Sequence, residues 1–204
     1  MKTQIKLCGI RRDEDAAYAN ECMPDYIGFI FWEKSFRYVT MEQAASLRRQ
    51  IDKRIAAVGV FVDAPRQAVC EAVEKGIIQI VQLHGHETEA EIEALKRELS
   101  VPVWKAFRIR AADDLRAAQR SCADQILLDN GYGTGECFEH TLLDGFRREY
   151  ILAGGLTPEN IPEVIEKYHP QAVDLSSGVE TDRRKDREKM KRAVAAVRNA
   201  RRHI

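Results

Sequence analysis

Short apolar runs recur along this chain about every 25 residues, each followed by an amphipathic helical pattern, and that beat excludes most folds before composition is consulted. The runs are Gln4–Cys8, Tyr26–Phe31, Ile55–Val62, Ile77–Leu83, Val103–Phe107, Gln125–Asp129, Tyr150–Ala153 and Ala172–Leu175. Tyr26–Phe31 is apolar throughout, as a strand buried on both faces is. Strands separated by helices must pair in parallel. The helices are expected over about Arg12–Glu21, after a Thr40/Gln43 capping box (Ala44, Leu47 and Ile51 inward), around Val69, Ala72 and Val73, and after a Thr88/Glu91 capping box (Ile92, Leu95, Leu99). Further helices are expected near Ala111–Cys122, near Thr141–Glu149, along Ile161, Val164, Ile165 and Tyr168 with Thr157 as cap and Pro158 first, and over Asp186–Arg202. Eight strands alternating with eight helices, without linker or low-complexity segment, predict an α/β chain folded as a single (β/α)8 TIM barrel over residues 1–204. An open doubly wound sheet is the alternative, but its usual G-x-G-x-x-G turn after the first strand is missing.

Lys plus Arg and Asp plus Glu both total 32, which argues against nucleic acid or a charged membrane surface as partner. No apolar run approaches the ~20 residues of a membrane span. The opening MKTQIKLCGI passes straight into a strand with no signal-peptide pattern. Five cysteines without CxxC spacing point to reduced thiols and a cytoplasmic setting. Outward apolar positions are scattered, so a monomer or weak homodimer is expected.

In a barrel of this kind the loops after the strands share one face, and a phosphate is commonly held after strands seven and eight. There the chain has Gly154-Gly155 and Ser176-Ser177-Gly178, small residues that let backbone N–H groups approach an anion. Ordinary tight turns explain one such end; two on neighbouring strands favour a phosphate grip. Reactive side chains at the same face follow from strand ends. Cys8 ends strand one as a candidate base or nucleophile, and Asp129 ends strand six as a candidate acid whose pKa burial could raise. Arg37, in a Ser-Phe-Arg-Tyr loop, has the fork that pairs with a ligand carboxylate. His84 is the weakest of the group, since a lone loop histidine is more often structural. His86 beside it raises a metal site, but no further ligand completes the set. Asp63 and Asp174 read as structural or supporting groups. These residues imply a sugar-phosphate enzyme moving protons without a metal.

Taken in order, Lys6–Ile10 (KLCGI), Gly28–Phe31 with Lys34–Val39 (KSFRYV), Gly59–Val62, Gln82–Gly85 (QLHG), Leu127–Asp129, Ala153–Asn160 (AGGLTPEN) and Asp174–Glu180 (DLSSGVE) resemble the phosphoribosylanthranilate isomerase family. The resemblance runs from the first strand to the start of the last helix. It implies conversion of N-(5-phosphoribosyl)anthranilate to the 1-deoxyribulose 5-phosphate derivative, an Amadori rearrangement in tryptophan biosynthesis that needs no cofactor. It implies Asp129 as the acid on the ring oxygen and Cys8 as the base at C2. It also implies Arg37 on the anthranilate carboxylate, with Gly154, Gly155, Ser177 and Gly178 on the phosphate and His84 among the substrate contacts. Three stretches depart from the family's pattern. Gly135–His140 replaces a Gly-Lys-x-Phe-Asp-Trp run, Thr181–Asp186 lacks a Pro-Gly turn, and Phe36 stands where Pro, Lys or Arg is frequent.

Two other enzyme readings stand beside this one. A histidine-pathway ProFAR isomerase would carry Asp where Cys8 stands, and an indole-glycerol-phosphate synthase would use a strand-end Lys and an N-terminal extension. A catalytically idle sugar-phosphate barrel is the non-enzymatic alternative, and the Cys8–Asp129 pair argues against it.

Overall fold

A computed structural model describes residues 2–129 and 146–200. Its strands are β1 (Gln4–Cys8), β2 (Tyr26–Ile30), β3 (Ala56–Phe61), β4 (Ile80–Leu83), β5 (Val103–Arg108), β6 (Gln125–Asp129), β7 (Tyr150–Ala153) and β8 (Ala172–Leu175). All pair in parallel with their sequence neighbours, and β8 returns to β1 with Lys6 opposite Asp174, so the sheet closes into the expected barrel. The described helices are α1 (Asp13–Cys22), α2 (Met41–Gln50), α3 (Arg66–Glu74), α4 (Glu89–Glu98), α5 (Ala112–Arg120), α6 (Ile161–Tyr168) and α7 (Arg187–Asn199).

Closure sorts side chains by parity, because successive residues of a strand point to opposite faces. One set, including Ile5, Leu7, Ile27, Phe29, Val81, Leu83, Ile126, Leu128, Leu152 and Val173, packs outward against the helices. The other set fills the barrel with Val58, Ile80, Trp104, Ala106, Leu127, Ile151, Ala153 and Ala172. Followed toward the C-terminal strand ends, the inward parity reaches Cys8 on β1, Gln82 and then His84 after β4, Asp129 on β6, and Asp174 on β8. The same two-residue period that builds the core therefore aims the reactive groups at one mouth.

Both predicted capping boxes form. Thr40 accepts from the Gln43 N–H and Thr88 from the Glu91 N–H, each at the start of its helix. Several boundaries differ from expectation. Ile55, Val62 and Phe31 lie just outside their strands, and the expected Ala111–Cys122 helix is trimmed to α5. The fourth strand begins at Ile80 rather than Ile77, because the N–H groups of Ile77 and Ile78 both donate back to the Ala72 carbonyl. That turn, with Gly76 at φ 66°, ends α3 and buries both isoleucines without pairing them. Thr157 does not cap α6, and Pro158 is not its first residue. The Asn160 side chain accepts from the Thr157 N–H and donates to the Gly155 carbonyl, so a turn precedes the helix, which starts at Ile161 with Pro162 in its first turn. The Gly-rich loop Asn130–Glu136 and most of the helix expected near Thr141–Glu149 fall outside the described residues; positions 146–149 are not helical. α7 starts at its predicted place, capped by Asp186, while positions 201–204 at the far end of the prediction lie beyond the described residues.

One feature of the C-terminal stretch was not anticipated. After β8 comes a 3-10 turn, Ser177–Val179, and then a small antiparallel hairpin of β9 (Glu180–Thr181) and β10 (Arg184–Lys185). Its turn residues Asp182 and Arg183 have φ of 49° and 59°. This is the segment without a Pro-Gly turn, and left-handed backbone at two successive residues is how it reverses direction.

Candidate active site

All eight residues singled out from the sequence line one cavity of about 300 Å³ at the C-terminal mouth: Cys8, Arg37, His84, Asp129, Gly154, Gly155, Ser177 and Gly178. Gln82, Asp174 and Ser176 join them. Cys8 and Asp129 end strands that are three places apart around the ring, so they approach the cavity from different sides.

On the β7–β8 side the wall is backbone. Gly154 and Gly155 follow β7 with φ of 94° and 64°, left-handed conformations that a side chain would strain. Ser177 and Gly178 open the 3-10 turn after β8, and the leading N–H groups of such a turn are not used by the turn itself. A Cβ on Gly178 would lie 1.8 Å from the Leu156 carbonyl oxygen, so the two loops touch backbone to backbone. Gly178→Ala is therefore expected to part them and to raise KM about tenfold or more, the value of one hydrogen bond to a charged group (~1.5 kcal/mol). Steady-state kinetics with a wild-type-like thermal midpoint would check it.

Beneath Cys8 lies a buried charge network. Lys6 is 0 % exposed and its Nζ is 2.8 Å from Asp174 Oδ2. Burial lowers the Lys6 pKa, but Asp174 and Cys8 outweigh it and raise it above its ordinary value. Burial pushes the Cys8 thiol above its ordinary value, against the pull of the Lys6 and Lys185 ammonium groups. Ser176 Oγ donates to the Cys8 carbonyl at 3.1 Å, fastening the end of β8 to the end of β1. Gly28, opposite Cys8 on β2, leaves room for the sulfur: a Cβ there would meet Sγ at 2.7 Å.

Arg37 is held more firmly than a lone surface arginine. Its Nε and Nη2 donate to Glu180 Oε1 and Oε2, both at 2.7 Å, in a bidentate pair. The Lys185 ammonium donates to the same Glu180 carboxylate at 2.7 Å and to the Ser176 carbonyl at 2.9 Å. Burial would raise the Glu180 carboxyl, but hydrogen bonds from Arg37 and Lys185 hold it below the usual range. Burial lowers Lys185, which is 4 % exposed. The Arg37 guanidinium also sits 4.1 Å over the Phe36 ring, and Arg183 of the hairpin lies 5.2 Å from the same ring. Two stretches that departed from the family pattern thus touch each other, and they brace the loop that carries Arg37. With one edge of the fork spent on Glu180, the Nη1 side is what remains to meet a ligand.

On the far wall, His84 Nε2 is 3.5 Å from Asp129 Oδ2, and the Gln82 amide Nε2 is 3.3 Å from His84 Nδ1. The loop behind them is pinned by Glu87, which accepts from the Gly85 and Asp63 N–H groups and from Lys105. His86 points to solvent beside Asp63, and no group of three or more metal-ligating side chains exists among the described residues. Asp174, expected from the sequence to be structural or supporting, lines the cavity, and its Oδ1 is buried without a partner among the described residues.

Sequence reasoning passed over Lys6, Gln82, Glu180 and Lys185. Lys6 carried a signal: a lysine inside an otherwise buried strand needs a buried counter-charge.

A family model described as N-(5'phosphoribosyl)anthranilate (PRA) isomerase matches residues 5–196. A relative from Caldanaerobacter subterraneus subsp. tengcongensis named N-(5'-phosphoribosyl)anthranilate isomerase is 42% identical over 202 residues, covering 96% of this chain and 98% of its own. Among solved structures, monomers generated from the dimeric phosphoribosylanthranilate isomerase of Thermotoga maritima superpose with TM-score 0.85 and 32% identity, covering 96% of this chain and 98% of theirs. A phosphoribosylanthranilate isomerase in complex with reduced 1-(o-carboxyphenylamino)-1-deoxyribulose 5-phosphate gives 0.86 and 31%, with 96% and 98% covered.

Proposed function

Because this chain belongs to the N-(5'-phosphoribosyl)anthranilate isomerase family, we propose how its own residues divide the reaction it catalyses, the conversion of N-(5'-phosphoribosyl)anthranilate to 1-(2-carboxyphenylamino)-1-deoxyribulose 5-phosphate in tryptophan biosynthesis. Asp129 gives a proton to the furanose ring oxygen, the C1–O bond breaks, and the nitrogen lone pair forms the C1=N bond of a Schiff base. Cys8, as thiolate, then takes the hydrogen from C2. The electron pair of that C–H bond makes an enolamine, which tautomerises to the C2 ketone as C1 gains a proton. Neither step changes the oxidation state of any group but the sugar, so the two side chains suffice.

The observation that carries this assignment is the meeting of Cys8, Asp129, Arg37 and the Gly154–Gly155/Ser177–Gly178 loops around one cavity. The ligand in the related complex bears a phosphate at one end and a carboxylate at the other. On this chain the backbone loops suit the phosphate and the Nη1 side of Arg37 suits the carboxylate. The Lys6 ammonium favours the thiolate form of Cys8 that proton removal requires, while burial opposes it.

No described helix is long and apolar enough to cross a membrane. We place the enzyme in the cytoplasm, where the free thiols Cys8, Cys22, Cys70 and Cys122 remain reduced, and we propose that residues 1–204 act as one catalytic domain in a monomer or weak homodimer.

Expression in a tryptophan auxotroph lacking this isomerase tests the assignment. The wild-type chain should restore growth and the Cys8→Ala and Asp129→Asn chains should not, at equal protein levels. Growth at the wild-type rate on either variant would remove that residue from the mechanism.

A further inference from the structure

The inward parity of β4 delivers two residues to the wall behind Asp129, and their chemistry is ordered. Gln82 is 1 % exposed, and its amide nitrogen faces His84 Nδ1 at 3.3 Å. With the amide in this orientation, its Oε1 buried without a partner among the described residues, the nitrogen donates and Nδ1 accepts, and a neutral imidazole then carries its proton on Nε2. Nε2 is the atom that faces Asp129 Oδ2, at 3.5 Å. That distance exceeds a formed hydrogen bond and is of the kind that tightens as a catalytic site engages its substrate. The loop bearing His84 has little freedom to choose another pose. Lys105 donates to the Gly85 carbonyl at 2.6 Å and to Glu87 at 2.8 Å, and both of these side chains are nearly buried.

We propose that Gln82 and His84 are positioning residues for the general acid: Gln82 fixes the His84 tautomer, and the His84 Nε2–H holds the Asp129 carboxylate that is left once its proton has moved to the ring oxygen. The negative charge on Asp129 grows as the C1–O bond breaks, so a donor waiting there is worth more in the transition state than before it, which is the condition for raising kcat rather than tightening binding. No proton leaves His84 in this scheme. The transferred proton goes from Asp129 to the ring oxygen. His84 is thereby moved from the substrate contacts expected from the sequence to a role exercised through Asp129, and Gln82 gains a role it had not been given. This inference rests on Asp129 being the acid.

The test is a set of variants read by steady-state kinetics. His84→Ala should lower kcat about tenfold or more, a fraction of the 10²–10⁴-fold scale of acid catalysis, with KM within about twofold of wild type. His84→Gln, whose side-chain amide can place an N–H near the position of Nε2, should recover most of that loss. Gln82→Met, close in shape but unable to donate, should lower kcat several-fold. The Gln82→Met/His84→Ala double variant should be no slower than His84→Ala alone. In an Asp129→Asn background, His84→Ala should change the residual rate little. A raised KM with unchanged kcat in His84→Ala would overturn the proposal, since the ring would then be gripping substrate. Losses that multiply in the double variant would overturn it too, as would a full His84→Ala penalty in the Asp129→Asn background. If Asp129→Asn itself turns over like wild type, the assignment of the acid has failed, a result distinct from a slow Asp129→Asn accompanied by a fast His84→Ala.

Discussion

Asp129→Asn should yield a folded protein whose kcat is lower by about 10²-fold or more, with KM little changed. Asparagine has the shape of aspartate and can hydrogen-bond, but it has no proton to give to a departing ring oxygen. Asp129 is the last residue of β6, half-exposed at the mouth, and its backbone pairing to β5 and β7 does not involve the side chain. The groups suited to the substrate's two charged ends, Arg37 and the glycine loops, lie on other elements, so ground-state binding should survive. Loss of substrate fluorescence under steady-state conditions measures kcat and KM together. A variant with near-normal kcat would show that the ring opens without this acid. A raised KM at normal kcat would make Asp129 a binding group instead.

The second large effect concerns stability. Lys6→Met should destabilise the protein by about 3–5 kcal/mol, the penalty for leaving one member of a buried ion pair without its partner. Lys6 is 0 % exposed, and the side chain of Asp174 across from it is 9 % exposed. One Asp174 oxygen already has no partner among the described residues, and the other is held by Lys6 Nζ, the donor the substitution removes. Replacing both members tells the cost of the broken pair from the worth of the intact one: Lys6→Met/Asp174→Leu should be more stable than Lys6→Met alone. Urea denaturation of the three proteins decides it. If Lys6→Met shifts the midpoint no more than a surface substitution, the pair is not the buried strut described here. Conserving this pair also matters for chemistry, because the ammonium that steadies Asp174 is the one that draws the Cys8 thiol toward thiolate.

Much of this was readable from the residues, and the reasons are particular. Runs such as Ile126–Leu128 announce strands because both faces of a barrel strand are buried, and strand ends announce the mouth, so Cys8 and Asp129 could be placed on one rim without coordinates. Thr40 and Thr88 named their helices because a capping box is a local contract over four residues. Local apolarity misled at Ile77 and Ile78, where burial comes from a helix-terminating turn and not from pairing. Cap chemistry misled at Thr157, where Asn160 holds the backbone in a turn. The β9–β10 hairpin was unreadable because two-residue strands have no periodicity and Thr181–Asp186 is polar throughout. Lys6 and Asp174 are 168 residues apart and meet only because the barrel closes. Phe36 and Arg183 likewise looked like two separate departures until the fold set the guanidinium against the ring.

In the proposed division of the reaction, Cys8 takes the hydrogen at C2 of a pentose whose ring Asp129 has opened. Substrate carrying deuterium at C2 of the ribose, turned over in ordinary water, reports on that atom alone. With wild-type enzyme the label should be lost to solvent at the rate of turnover, and Cys8→Ala should suppress its loss by about 10²-fold while still binding a reduced product analogue. Label released by Cys8→Ala at the wild-type rate would contradict the account, because another group would then be removing that hydrogen.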